Sequence, residues 1–530
     1  MNTLEKIIGY ISPTWQFKRE FSRRQAQLMA SITASETVPA WDGASKSKRG
    51  LKSWLPTALS ADRENSAELP TLTARSRDLF RNDTLARSAI TTSVTNVVGS
   101  GLRLKPTIDA EYLGMSDEEA DTWERLTERE FKLWCRKENC DAEAKLNFYG
   151  LQELAFLSVL QSGDVFAALP FIPRPQSPYD LKVQMIEADR VCNRGFSIDT
   201  DTLSGGVETD RNGTPINYHI LKTHPNGFNP SYDWRIVPAR GRQTGRVNIV
   251  HLFKVDRVGQ NRGVPFLAPV IEDLNLLKRY SEAEMMAALV SGLFTVFIET
   301  ESGQAMETFV DDLDPQGNAA AAGEINLGSG AIVDLAKGEK VNAVNPMRPN
   351  PAFDAFLLAV TRRIGAALEI PHDLLVKNFM ASYSASRAAL LEAWKFFKTR
   401  RLWLAGNFCQ PIYEEWMREA ILNERISAPG FMDDPAIREA YLQCQWVGPA
   451  QGQIDPVKET QAAILKINNG LSTRAQETTA IGGDWEANHR QLVKEARMRR
   501  EGGLDTESTQ ITRSNSANSA AKDEDAEDEE

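Results

Sequence analysis

The residues of this chain that could carry catalytic or metal chemistry are few and widely spaced. The sequence holds five histidines, none of which has another histidine at the i,i+4 spacing of a helical metal site: His219, His224, His251, His372 and His489. Cys135 and Cys140 form a Cys-x4-Cys pair without the second pair that a zinc site would need. We therefore expect structural histidines, free or buried thiols, and neither a metal nor a cofactor.

Nucleotide-binding and hydrolase motifs are also missing. The sequence contains no Gly-x4-Gly-Lys-Ser/Thr loop, no His-Glu-x-x-His and no Gly-x-Ser-x-Gly. Asp164 follows Gln-Ser-Gly just before a strand-like run, a position at which we expect a turn role rather than a catalytic one. These absences predict a protein that is not an enzyme, with an active site assembled from distant residues as the open alternative.

The strongest candidate binding element is a serine-rich segment that runs into a long helical pattern, residues 378–401. Its side chains include uncharged groups that can hydrogen-bond to a phosphate backbone without reading sequence: Asn378, Ser382, Tyr383 and Ser384. Lys377 adds one positive charge, and Phe379 and Met380 add soft apolar contacts. The helix behind is predicted to hold the segment through an apolar face made of Leu390, Leu391, Trp394 and Phe397. The alternative is an ordinary surface loop on a core helix.

Bulk composition sets the class of protein. At 530 residues the chain is too long for one ordinary core. Hydrophobic residues make up 42% and charged residues 25%, values typical of a soluble globular protein. The net charge of −11 argues against a surface that coats nucleic acid, although it allows weak contact. The first residues carry no secretory pattern, and the longest apolar run, residues 285–298, is shorter than the ~20 residues of a membrane span.

The two ends of the chain carry opposite charge. Residues 1–50 hold eight Lys/Arg against four Asp/Glu, whereas the stretch KDEDAEDEE at 522–530 holds seven acids and one lysine. Such runs repel themselves and are expected to be solvated tails, with a docking role as the alternative.

Hydrophobic periodicity predicts an α+β region followed by long helices. Helices are expected at 72–98 and at 147–162. A third is expected to begin at Ser116, with Glu119 as the capping partner of that serine. Strands are expected in five runs, at 164–172, 181–191, 215–224, 234–239 and 247–255. Two long helices, 265–291 and 351–370, flank an insertion rich in Gly, Ala and Asp. A further helix is expected to about residue 423, and helical sequence again at 454–500.

Several long motifs resemble the portal proteins of tailed bacteriophages, in particular the lambda-like family. They are RNDTLARSAITTSVTNVVGSGLRLKP from residue 81, VGQNRGVPFLAPVIEDLNLLKRYSEAEMMAALVSGLFTVFI from 258, RRIGAALEIPHDLLVKNFMASYSASRAALLEAWKFF from 362 and WVGPAQGQIDPVKETQAAILKINNGLSTRAQE from 446. The resemblance runs from about residue 72 to 476 and is weak in the first 60 and last 50 residues.

The resemblance implies a multi-region α+β portal fold. Its expected regions are a basic arm at 1–60, an α+β wing at 61–260, a first stem helix at 261–296, a clip at 297–350, a second stem helix at 351–370, a tunnel loop at 371–385, a long channel or wing helix with its connection at 386–450, a helical crown at 451–503 and an acidic tail at 504–530. The resemblance implies a set of DNA-facing residues in the tunnel loop: Lys377, Asn378, Phe379, Met380, Ser382, Tyr383 and Ser384. Lys278, Arg279 and Glu282 on the first stem helix would either face the channel or, for Lys278 and Glu282, form an i,i+4 pair.

The function implied is a ring of about twelve copies at one capsid vertex, through which double-stranded DNA is packaged and ejected. Expected partners are the major capsid protein, the large terminase subunit, and scaffold and head-completion or tail connector proteins, with no membrane. The protein would reside in the virion, and in the host cytoplasm during assembly. The alternatives are a capsid-vertex scaffold or adaptor without a channel and a nuclease or motor subunit. The latter would need clustered carboxylates and a nucleotide site.

Overall fold

The computed structural model describes residues 21–26, 41–292, 296–300, 339–343, 353–378, 383–452, 455–502 and 504. The chain divides into two compact units, Met1–Ser60 and Ala61–Glu530. In the first unit, residues 21–26 are helical and Asp42–Ala44 form a 3-10 turn.

The second unit begins with three helices, α1 (Ala61–Asn65), α2 (Leu69–Asn82) and α3 (Thr84–Val97). The prediction of one continuous helix over 72–98 is wrong, because Asp83 has extended backbone (φ −118°, ψ 128°) and separates α2 from α3. The Asp83 carboxylate accepts a hydrogen bond from the Ala86 N–H and so caps α3. The predicted C-cap is confirmed, since Gly99 has φ +55° and its N–H donates to the Val94 carbonyl.

Four helices follow before the sheets: α4 (Ala110–Leu113), α5 (Asp117–Trp134), α6 (Lys137–Cys140) and α7 (Phe148–Ser162). The predicted capping box is confirmed, because Ser116 accepts from the Glu119 N–H while the Glu119 carboxylate accepts from Ser116. Asn147 caps α7 through the Gly150 N–H. Local sequence signals therefore set the starts of α5 and α7.

Each of the five predicted strand runs contains a strand, shorter than predicted, and these strands belong to two antiparallel sheets. Strand β2 (Asp164–Ala168) pairs on one side with β3 (Gln184–Ile186) and on the other with β8 (Ile249–Phe253). A four-stranded sheet has the order β4 (Leu203–Ser204), β5 (Val207–Thr209), β6 (Pro215–Leu221) and β7 (Trp234–Pro238). A separate pair joins β1 (Arg103–Pro106) to β11 (Cys444–Val447), bringing two distant parts of the chain together.

The predicted long helices are present with shifted ends. A 3-10 turn at Ala268–Val270 leads into α8 (Ile271–Gly292), and α9 spans Phe353–Ala367. Strands β9 (Val296–Thr300) and β10 (Glu339–Ala343) form an antiparallel pair; the rest of the predicted clip lies outside the described residues. After α10 (His372–Val376), helix α11 (Tyr383–Leu404) continues through a π turn at Ala405–Cys409 into α12 (Gln410–Leu422). The remaining helices are α13 (Pro435–Leu442), α14 (Pro456–Asn468), α15 (Arg474–Ala480) and α16 (Trp485–Glu501).

The main core lies where α5, α7 and α12 meet. The Phe131 ring is surrounded by Trp416, Trp134, Phe148 and Tyr413, with ring centroids 4.9–5.6 Å away. All five residues are 2% exposed or less, so this aromatic cluster contributes a large share of the apolar area buried on folding. Among the described helices, none combines the length and apolar character required to cross a bilayer.

Candidate functional site

Helices α8 and α9, the two predicted stem helices, pack against each other. The Tyr280 ring lies 5.8 Å from Phe353 and 5.0 Å from Phe356 between ring centroids. Nearer the other end of the pair, the Arg363 guanidinium forms an ion pair with Asp273. Aromatic contact and charge pairing thus fix α8 against α9.

A tight turn after α9 directs the chain into the predicted tunnel loop. Glu369 has φ +56°, and the Ile370 N–H donates to the Gly365 carbonyl at 2.9 Å. A Cβ at Gly365 would lie 2.6 Å from the Ile370 carbonyl oxygen, closer than a carbon can approach. Glycine is therefore required where the turn folds back on the helix.

The first part of the predicted loop is a short helix. In α10, Leu375 is buried and its carbonyl accepts a hydrogen bond from the Ser88 hydroxyl at 2.7 Å. Lys377 has left-handed backbone (φ +54°, ψ 38°) and ends the helix, after which the Asn378 N–H donates to the Asp373 carbonyl. Within the predicted tunnel-loop region 371–385, α10 thus occupies the start and α11 begins at Tyr383.

The structure brings some of the predicted site residues to one place. A cleft of about 700 Å³ is lined by Lys278 and Glu282 of α8 and by Asn378, with Asp83, Asp354 and His372 beside them. Lys278 is half-buried, whereas Arg279 and Glu282 are exposed. Within the described part of the chain no ion pair joins Lys278 to Glu282. Among the predicted loop residues, Phe379, Met380 and Ser382 lie outside the described residues, and Tyr383 and Ser384 begin the backbone of α11.

The apolar face predicted on α11 is partly wrong. Phe397 is 1% exposed and packs edge-on against Trp394, with ring centroids 6.1 Å apart. Leu391, however, is 45% exposed, and the side of the helix that faces the core is formed by Ala393 and Phe396 with Phe397. The helical period alone gives the width of an apolar stripe but not which neighbours cover its edge.

Asp164 is the centre of a buried charge cluster, so the expectation of a turn role is wrong. It is the first residue of β2, is 1% exposed, and forms a forked ion pair with the Arg262 guanidinium. Arg262 also donates to the carbonyls of Val191, Gly205 and Ala188 at 2.6–3.0 Å. His251 Nε2 lies 3.4 Å from Asp164 Oδ2.

Two glycines let the backbone approach this cluster closely. A Cβ at Gly163 would lie 2.4 Å from the Gly263 carbonyl oxygen. A Cβ at Gly263 would lie even closer to the Gly163 carbonyl oxygen. The sequence signal that could have revealed the pair is Gly-Asp at 163–164 and Arg-Gly at 262–263. Sequence reasoning missed it because 98 residues separate the two charges.

Burial and charge act in opposite directions on these groups. Burial alone would raise the pKa of the Asp164 carboxyl, but the Arg262 charge and the hydrogen bonds from His251 and Arg262 hold that pKa well below its usual range. Burial lowers the pKa of His251, whose ring stacks between Phe166 and Phe253. At neutral pH the cluster is therefore an ionised Asp164–Arg262 pair beside a neutral His251. This arrangement is typical of a structural role in the fold.

Glu187, Asp189 and His224 converge with ligand atoms within 4.8 Å of one another, a contact the sequence did not predict. Their arrangement does not suit a cation. Arg77 already pairs with Asp189 at 2.5 Å, and His224 Nδ1 accepts a hydrogen bond from the Asn226 N–H at 3.0 Å. An accepting Nδ1 places the imidazole hydrogen on Nε2, the nitrogen facing the carboxylates, so Nε2 offers a hydrogen and not a lone pair.

Two of the C-terminal helices contact the rest of the unit at different places: Glu459 of α14 pairs with Arg387 of α11 at 3.1 Å, and the start of α16 contacts β1. Lys105 lies 2.6 Å from Glu486 and 3.7 Å from Asp484, and Arg103 donates to the Gly482 carbonyl at 2.7 Å. The five cysteines are all free thiols, as predicted.

Comparisons with known proteins agree on one family. The model of the family described as phage portal protein, lambda family, matches residues 47–401. The chain is 28% identical over 477 residues to portal protein B of Escherichia phage lambda, covering 86% of this chain and 88% of that relative. It is 27% identical to the portal protein of Escherichia phage N15, covering 86% and 89%.

Solved structures give a weaker likeness. The similar chains come from the virion of a native gene transfer agent particle, at 14% identity, and from the neck of that particle computed with C12 symmetry, at 15% identity. Each comparison has a TM-score of 0.40 and covers 78% of this chain and 93% of the other.

Proposed function

The chain belongs to the lambda family of phage portal proteins, and from that premise we propose that about twelve copies form a ring at one capsid vertex. Double-stranded DNA would be packaged and ejected through the channel along the ring axis. The protein would act as a structural conduit without catalysis of its own, and it would be a component of the virion.

The observation that carries this proposal is the uncovered apolar surface of α8. Near the C-terminal end of that helix, Met286 and Leu289 are 61% and 64% exposed in a single chain. Burying a leucine or methionine side chain completely is worth roughly 1.5–3 kcal/mol. Covering these two side chains would thus contribute about 2–4 kcal/mol at each contact between copies.

Further exposed apolar residues support the same conclusion for the C-terminal helices. Ile464 and Leu465 of α14 are 51% and 61% exposed, and Leu492 and Val493 of α16 are each 57% exposed. Self-association around a rotation axis would cover such faces repeatedly with one contact geometry. A solitary chain would leave them in water.

We assign the regions by the order of elements. Residues 61–260 would form the wing, α8 and α9 the stem, β9 and β10 part of the clip at 297–350, and α14–α16 the crown. The clip would meet the large terminase subunit and later the head-completion or tail connector proteins, and the wing would meet the major capsid protein and scaffold.

The DNA-contacting surface would combine Lys377 and Asn378 with the segment to Ser384. Left-handed backbone at Lys377 turns the chain out of α10 at the start of that segment. Lys278 and Glu282 line the same cleft as Asn378, so stem and loop would act on DNA as one surface. The net charge of −11 suits transient contact, because a duplex that must move cannot be bound at many phosphates.

The ring is tested by placing a charge on the exposed face of α8. We expect Met286→Asp to yield separate chains in native mass spectrometry and electron microscopy, because an unpaired carboxylate in an apolar contact costs several kcal/mol. Asn275→Asp adds the same charge on an exposed position of the same helix and should still form rings.

Two results would contradict the proposal: the unaltered protein remaining a single chain at assembly concentrations, or rings forming equally well from the Met286→Asp variant. Intact circular dichroism in both variants would establish that the fold is unchanged. Rings that lack an axial hole would favour a vertex scaffold over a conduit.

A further inference from the structure

Helix α16 presents an excess of positive charge. Between residues 490 and 500 it carries five cations and one carboxylate; the cations are Arg490, Lys494, Arg497, Arg499 and Arg500, all exposed. Within the described residues Lys494 and Arg499 make no ion pair, and Arg497 has only the long 3.9 Å contact with Glu501. Like charges at i,i+4, as at Arg490 and Lys494, destabilise an isolated helix.

Three of the acids near this surface already have a lysine as partner, so they offset little of its positive charge. Asp484 and Glu486 face Lys105, and Glu477 pairs with Lys466 at 3.3 Å. The helix macrodipole explains only part of the pattern. It favours cations within the last turn, whereas Arg490 and Lys494 lie seven or more residues before Glu501.

The same chain carries the complementary charge a short distance onward. Residues 523–530 hold seven carboxylates in eight positions, and the intervening 502–522 are rich in Ser, Thr and Asn. A stretch of this length can span at most about 70 Å, at ~3.3–3.6 Å per residue. The basic part of α16, from 490 to 501, is about 18 Å long at 1.5 Å per residue.

We propose that the acidic segment 523–530 docks on the basic face of α16, in its own copy or a neighbouring one, and masks that face from other polyanions. Residues 505–530 lie outside the described residues. The acidic segment is favoured as the partner of this face by its charge and by its short distance along the chain from α16. A tether this short supplies an effective concentration on the order of millimolar, enough for a weak electrostatic contact to persist. The contact would keep α16 from holding DNA until a duplex at higher local concentration displaces it.

The contact itself is tested by zero-length carbodiimide coupling on the full chain. Lys494 is the reporter, and Lys398, an exposed lysine of α11, is the control. Trypsin releases 523–530 as one peptide because Lys522 precedes it. We expect Lys494 to carry that peptide at least about five-fold more often than Lys398 at low salt, with the difference lost near ~0.5 M salt, where screening lengths fall to a few ångströms.

Equal coupling of the two lysines, or a preference that persists at high salt, would overturn the proposal. The readout does not require a ring, since it can be made on single chains and on assembled protein. A failure of the proposed ring and a failure of this contact are therefore distinguishable.

The masking effect is tested by DNA affinity. Replacing the seven acids of 523–530 with Asn and Gln keeps the length and should tighten binding of a short duplex about five- to ten-fold at low salt. Further replacement of Lys494, Arg497 and Arg499 with Gln should abolish that gain. A gain that survives this second change would place the effect elsewhere and refute masking of α16.

Discussion

Replacing Arg262 with methionine would leave the Asp164 carboxylate buried without its cationic partner. The substitution removes the forked ion pair and the three hydrogen bonds that Arg262 donates to carbonyls of Val191, Gly205 and Ala188. What remains near the carboxylate is His251 at 3.4 Å and the Gly263 N–H at 3.4 Å, both long contacts. The loss of a single partner from a buried pair costs about 3–5 kcal/mol.

The pH dependence of that cost has a definite sign. In the unaltered protein the Asp164 pKa is depressed, so its stabilising contribution is present above the usual carboxyl pKa and is lost as pH falls through the folded-state value. Without Arg262, burial would raise the pKa of Asp164, and acidification would neutralise the buried charge. The difference in free energy of unfolding between the two proteins should therefore shrink as the pH is lowered from 7.

Urea unfolding followed by tryptophan fluorescence measures this difference. The matched control is Arg257→Met, since Arg257 pairs with Glu64 and both side chains are about half exposed. That change should cost less than about 1 kcal/mol. An Arg262→Met variant as stable as the Arg257→Met variant, or one whose deficit grows on acidification, would refute the assignment of Asp164 and Arg262 as a buried ionised pair.

The other predictions concern the turn and the predicted tunnel loop. Gly365→Ala should lower the free energy of unfolding by roughly 1–3 kcal/mol, because the new Cβ would strike the Ile370 carbonyl. Thermal unfolding measures this loss. The control is Gly406→Ala, because Gly406 is a helical glycine with open space where its Cβ would lie. Lys377→Gln should reduce the amount of DNA packaged per particle while ring formation stays normal, and Lys377→Arg should retain packaging. Normal packaging by the Gln variant would remove Lys377 from the DNA-contacting surface.

Local signals fixed the parts of the fold that depend on neighbouring residues. The Ser116–Glu119 capping box, the Gly99 helix end and the strands around Phe166 were predictable because each depends on contacts within one element or on side-chain periodicity. The long motifs also sufficed to indicate the portal family, which the family match confirms over residues 47–401.

Distance along the chain hid the rest. Asp164 and Arg262 lie 98 residues apart, and no local rule distinguishes their charges from those of a solvated turn. The helix break at Asp83 shows the limit of periodicity, since the apolar spacing continues while one extended residue changes the direction of the chain.

The sequence by itself determined the longer helices apart from the break at Asp83, the five longest strand runs, the opposite charges of the two ends and the family. Tertiary structure alone decided which charges are buried, how Lys278 and Glu282 come to line one cleft with Asn378, and which apolar faces stay uncovered in a single chain. The physical reason is that caps and periodicity act over a few residues. Burial and electrostatic pairing, by contrast, depend on which distant elements become neighbours in space.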